Sequence, residues 1–296
     1  MLEKVETLIA KLISEVDYPK ASALFAELSG GKRLRARLIL TIAPAAPAAP
    51  LLGAIVELIH AASLLHDDVI DDAMLRRGVP SVNATQGSKT AIMLGDILYS
   101  KAFSELTSFD PSIARAVAES VTRLSVGEMM DVEMAETFNS DRDLYLKMLY
   151  LKTATLIEAC AYSAAILAGK DEQAHATYGK NLGLAFQIVD DILDITADEV
   201  TLGKPSLNDF SEGKVTLPYI DLYDELNDDE KIRLVSSHSK VLNENEKMWI
   251  RSKMDDFKII ERSYAHARML CDEAISAIGE DVALRAIIET VIQRSH

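Results

Sequence analysis

Residues 58–72 read LIHAASLLHDDVIDD, an apolar run closed by the carboxylates of Asp67, Asp68, Asp71 and Asp72. Just upstream, Leu51, Leu52, Ile55, Val56, Ile59 and Ala62 recur every three to four residues, the period of a helix with one buried face. The quoted stretch is therefore the end of an apolar helix that carries acid. A second stretch repeats the design: residues 183–195 read GLAFQIVDDILDI, with Asp190, Asp191 and Asp194. Helical spacing also marks Ala91, Leu94, Leu98 and Ala102, while 144–168 and 174–195 are apolar nearly all round, which predicts central buried helices.

β-Branched alternation bounded by tight turns is almost absent, so no sheet is expected. Glycine and proline are sparse, at 13 and 8 of 296 residues, which favours long elements over many turns. Clusters such as Gly78-Val79-Pro80, Phe109-Asp110-Pro111 and Gly203-Lys204-Pro205 punctuate the helices. The two acidic clusters lie 123 residues apart, too far for a solenoid period, and no interdomain linker is visible. The expected fold is all-α, one domain over residues 1–296. Residues 38–56 carry no charge and approach the length of a bilayer span, but Pro44, Pro47 and Pro50 argue for a helix end, a connector and a new helix; no transmembrane span is expected.

A formal net charge of −15 argues against nucleic acid as a partner, because phosphate contacts need a basic surface. Phosphorylated ligands would require local cations or metal ions. Two cysteines, Cys160 and Cys271, give neither a disulfide framework nor a metal spacing and suggest a cytoplasmic location. The N-terminus is acidic and amphipathic, unlike a signal peptide.

Asp67 and Asp71 share a helix face, as do Asp190 and Asp194. Carboxylates repelling one another on an apolar helix are costly unless a cation meets them. Mg2+ suits them, since it binds through one or two carboxylates and completes its shell with water and phosphate oxygens. One such cluster alone would read as a solvated acidic helix end; two with matched spacing read as a metal site. The glycine-bearing loop of a calcium site is missing.

GGKRLR (30–35), LLHDDVIDDAMLRRG (64–78), GDILYSKAF (95–103), Lys152-Thr153, FQIVDDILD (186–194) and GKPSLNDFSEGKVTLP (203–218) resemble, in order and spacing, the trans-polyprenyl diphosphate synthases. That resemblance implies a helical bundle around a deep central cavity of the isoprenoid synthase type. It also implies condensation of an allylic diphosphate with isopentenyl diphosphate, with about three Mg2+ ions, or Mn2+ as a substitute, between the clusters. By the same resemblance Asp67, Asp71, Asp190 and Asp194 bind metal, and Asp68 and Asp191 assist, Asp191 counting with Asp67, Asp71, Asp190 and Lys152 as catalytic. Lys32, Arg35, His60 and Arg77 hold isopentenyl diphosphate. Arg76, Lys152, Thr153, Gln187, Lys204 and Lys214 hold the allylic diphosphate. Arginine pairs bidentately with phosphate; alone, Arg76 and Arg77 would suit any helix C-terminus, and His60 would suit any core. Ala36 stands where the family pattern has proline, and Leu207 and Asn208 depart from the pattern beside Lys204.

Ala62 and Ser63 lie roughly 6–7.5 Å before Asp67 along the helix axis. In the family, bulky aromatics at these positions stop elongation. Small residues there imply a product of about C30–C45, octaprenyl favoured, for quinone side chains, since no large ring fills the path. A short-chain synthase of about C15–C20 is the alternative by the same steric rule. A terpene cyclase would carry an Asn/Ser/Glu-rich second motif, and a non-catalytic subunit would lack the aspartates. A homodimer through 91–103 and peripheral membrane contact for product release complete the expectations.

Overall fold

A computed structural model of the chain describes residues 1–28, 31–76, 78–196 and 207–293. Helices dominate: α1 (Leu2–Ser14), α2 (Pro19–Glu27), α3 (Leu34–Ile42), α4 (Ala49–Ile70), α5 (Val82–Gln86), α6 (Ser88–Leu106), α7 (Pro111–Ala135), α8 (Arg142–Leu149), α9 (Thr155–Ala168) and α10 (Glu172–Thr196). Beyond α10 come a single turn, Asn208–Ser211, and the helices Leu217–Glu225, Asp228–Ser237, Glu244–Asp256, Ile259–Ile278 and Val282–Ile292. The described sheet is one antiparallel hairpin, β1 (Leu75–Arg76) with β2 (Val79–Pro80), Leu75 opposite Pro80. The all-α expectation holds, apart from that hairpin.

The chain divides into two compact units, 1–121 with 156–176, and 122–155 with 177–296. In the first unit, α4 packs on α6, α3 and α1. Leu52, Ile55, Val56, Ile59 and Ala62 are fully buried there, the stripe expected from their spacing. Residues 43–48 separate α3 from α4, so the charge-free run 38–56 is two helices joined by the Ala/Pro connector. The described helical stretches Ala49–Ile70 and Arg142–Ala168 are long and apolar enough to cross a membrane, and 72% and 61% of their apolar windows are buried within the protein. On α6, Ala91, Leu94, Leu98 and Ala102 are buried, while Ile92 and Met93 are exposed.

In the second unit, Leu217–Glu225 packs on Ile259–Ile278, and Phe210 stacks on Tyr219 at 4.4 Å between centroids. The helix expected over 144–168 is present within the helical stretch Arg142–Ala168, with five residues of π-helix, Tyr150–Ala154, between α8 and α9. One extra residue per turn redirects side chains, and such bulges recur at functional sites. The segment packs tightly against α7. A Cβ on Gly127 of α7 would lie 2.3 Å from the Lys152 backbone nitrogen, so the two backbones touch where only glycine fits.

Candidate active site

The first acidic cluster closes α4. The Asp71 amide still donates to the Asp67 carbonyl at 2.8 Å, so the pair keeps the i, i+4 relation to the last helical residue. Asp72 then turns left-handed, with φ 48°. Its amide donates to Val69 O and that of Ala73 to Asp68 O, which is the paired 6→1 and 5→2 closure of a helix C-terminus. Asp tolerates this backbone better than most residues. The left-handed Asp72 therefore completes the closure of α4 at the last carboxylate of the cluster.

Asp67 is half-buried, Asp71 exposed and Asp68 buried. Asp68 is already engaged: Arg76 Nε and Nη2 both lie 2.7 Å from its Oδ1. Arg76 was expected at a helix end; it stands instead on β1, six residues after α4 ends, and the hairpin folds it back onto Asp68. His60 is half-buried on the same helix. Ala62 and Ser63 are 0% and 4% exposed, Ser63 Oγ donating to His60 O at 2.9 Å. Nearby, Gly95 of α6 leaves room for His66: a Cβ there would lie 2.3 Å from the imidazole Nε2.

The basic loop enters α3. Lys32 is exposed and Arg35 half-buried. Arg35 Nε is buried without a hydrogen-bond partner among the described residues. Burial pulls the Arg35 guanidinium below its ordinary pKa, against the opposing pull of Glu57 and Cys160. A buried donor of this kind is costly until an acceptor arrives, which suits an anion site. Gly30, Arg77 and Lys204 lie outside the described residues.

In the second unit Asp190 is exposed on α10, Asp191 is 4% exposed and Asp194 2%. Asp194 Oδ2 accepts the Asp209 amide at 3.2 Å. Asp191 accepts the Tyr145 hydroxyl on one oxygen and Gln187 Nε2 at 2.9 Å on the other. Gln187 Oε1 in turn accepts Thr153 Oγ1 at 3.1 Å. A hydrogen-bonded chain thus runs Thr153, Gln187, Asp191, Tyr145, joining three residues singled out in sequence. Burial, then Asp209, raises the Asp191 carboxyl well above its usual range, against the hydrogen bonds from Tyr145 and Gln187.

Lys152, on the π segment, lies 2.6 Å from Asp131 Oδ2 and 2.9 Å from Glu128 Oε2, both acids being buried on α7. Burial alone would lower its pKa, but Asp131 and Glu128 outweigh that and shift it upward. The ammonium stays charged and fixed. Lys214 lies 3.4 Å from Glu212, in a turn where Gly213 has φ 91°.

Sequence reading missed Tyr145, Glu128, Asp131 and Glu57. Glu128 and Asp131 stand i, i+3 on α7 just after Gly127, a faint signal; Tyr145 had none.

Among the described residues no group of three or more acidic, histidine or cysteine side chains could by itself hold a metal ion. The donor set is nonetheless hard oxygen, supplied two carboxylates at a time, which fits Mg2+ bound partly through phosphate and water.

A family described as polyprenyl synthetase matches residues 20–252. The chain is 34% identical over 289 residues to a short chain isoprenyl diphosphate synthase of Methanothermobacter thermautotrophicus, covering 90% of this chain and 88% of that one. It is 35% identical over 221 residues to octaprenyl diphosphate synthase of Escherichia coli, covering 72% and 68%. Among solved structures, octaprenyl pyrophosphate synthase from Helicobacter pylori superposes with a TM-score of 0.94 at 42% identity, covering 100% and 98%.

Proposed function

The chain belongs to the polyprenyl synthetase family, and on that premise we propose that it condenses an allylic diphosphate with successive isopentenyl diphosphates, dependent on Mg2+, to a long-chain product. The observation that carries this reading is the bonded chain Thr153–Gln187–Asp191 beside Lys152. It joins the Lys152-Thr153 pair to Gln187, 34 positions beyond Thr153 in sequence, where the allylic diphosphate is expected.

Asp67, Asp71, Asp190 and Asp194 would hold the metal, which when bound neutralises the diphosphate leaving group. Arg76 uses its Nε/Nη2 edge on Asp68, and the guanidinium would meet the diphosphate through its remaining Nη1. Lys152 adds a fixed cation. The allylic C–O bond then breaks heterolytically, the bonding pair leaving with diphosphate. The isopentenyl double bond attacks the allylic carbon, and the departing diphosphate takes the proton that restores a double bond. Preorganised charge and excluded water lower the barrier; no protein nucleophile takes part.

Octaprenyl length is favoured by the likeness to the Helicobacter pylori enzyme and by the small pair Ala62-Ser63. The short-chain relative supports the second reading, a product of about C15–C20, in which larger neighbours close the path. We infer a cytoplasmic homodimer without a membrane span. Incubation with radiolabelled isopentenyl diphosphate, farnesyl diphosphate and Mg2+ tests the reading. Long-chain product that vanishes in excess chelator is expected; turnover undiminished by chelator overturns the metal assignment.

A further inference from the structure

Glu57 is the one aspartate, glutamate, lysine or arginine on α4 before Asp67, and it is 3% exposed. A carboxylate buried on an apolar helix needs partners. Both of its partners come from the start of α3. Oε1 accepts the Ala36 amide at 3.0 Å, and Oε2 lies 3.5 Å from Arg33 Nη1.

Ala36 is the third residue of α3, whose first amides have no partner within the helix. Its N-cap, Arg33, is left-handed at φ 51° and caps nothing with its side chain. Glu57 therefore does from α4 what an N-cap side chain does locally, and it sets negative charge at the favourable end of the helix. Arg33 completes the clamp. Its Nε lies 2.7 Å from Glu6 Oε1 and its Nη2 3.1 Å from Glu6 Oε2, a two-pronged grip. The guanidinium of Arg33 is thus committed to structure, while the Nε of Arg35 keeps its donor. The donor is the backbone N–H of residue 36, which the proline of the family pattern would lack.

We propose that Glu57 is a positioning residue for isopentenyl diphosphate: by tying the start of α3 to α4 it holds Lys32 and Arg35 in the geometry that receives the diphosphate. The inference rests on the reading of Lys32 and Arg35 given above. Glu57→Leu removes both the acceptor for the Ala36 amide and the charge facing Arg33, and Glu57→Asp draws both back by one methylene.

The test is steady-state kinetics of both variants and the wild type, with farnesyl diphosphate, isopentenyl diphosphate and Mg2+, beside thermal unfolding. Expected is a KM for isopentenyl diphosphate raised about tenfold, roughly 1.4 kcal/mol, with the KM for farnesyl diphosphate within about twofold. A wild type that forms no condensation product refutes the proposed function and leaves no substrate to position. An active wild type with unchanged isopentenyl KM in folded variants overturns the positioning role. So does a parallel loss of both KM values, kcat and melting temperature, or failure of both variants to fold, since either marks a general structural role.

Discussion

The backbone of Gly127 meets the backbone of Lys152 so closely that a methyl group has no place: a Cβ would lie 2.3 Å from Lys152 N and 2.7 Å from Leu151 C. Alanine favours helix over glycine by about 1 kcal/mol. Here overpacking wins, because the obstructing atoms are backbone and cannot rotate away, at a cost of about 1–3 kcal/mol. Gly127→Ala is expected to lower the melting temperature by several degrees and to reduce kcat by displacing Lys152. Calorimetry with initial rates checks both.

Tyr145→Phe removes the hydroxyl that Asp191 accepts. Asp191 is buried, so leaving its oxygen unmet costs about 1–3 kcal/mol. A lower urea midpoint with unchanged slope is expected, together with a higher KM for the allylic diphosphate. An unchanged midpoint would mean that water replaces the phenol.

Burial pushes the Cys160 thiol up to about 12 and the Cys271 thiol to about 11, from 9.0. Both native values exceed the unfolded ones, so the folded state holds protons that the unfolded chain releases. Their stabilisation is complete below about pH 9 and is lost as pH rises toward the native values. At pH 10.5 the loss at Cys160 is on the order of 2 kcal/mol. The difference in urea midpoint between wild type and Cys160→Ala, measured at pH 8 and pH 10.5, isolates it. At pH 7.5 neither thiol should react with iodoacetamide until the protein is unfolded.

Ala62 has no solvent exposure. Ala62→Tyr should shorten the prenyl product and, by overpacking, cost about 1–3 kcal/mol of stability. Chromatography of the dephosphorylated product reads the first effect and thermal unfolding the second. Unchanged length with lowered stability would place the chain's path elsewhere.

Both acidic clusters and the helical class were legible because they are local. Period 3.6 and i, i+4 spacing are properties of consecutive residues. Arg76 was legible as a residue type but not in its setting. Its hairpin is only two residues per strand, too short for a periodic signal. Glu57 was overlooked for a similar reason. One carboxylate in an apolar helix carries no pattern, and its partners Ala36 and Arg33 lie 21 and 24 residues away.

The sequence by itself determined that this is a helical chain with two matched carboxylate clusters and, through the order of its motifs, a member of the polyprenyl synthetase family. Only the tertiary structure decided which carboxylates are already occupied. Asp68 is bound by Arg76, Asp191 by Tyr145 and Gln187, and Glu128 and Asp131 by Lys152. It also decided that Lys152 sits on a π segment against Gly127. The physical reason is range. Helix periodicity is fixed by neighbours a turn apart, whereas the pairing and burial of a charge depend on which distant segments pack beside it.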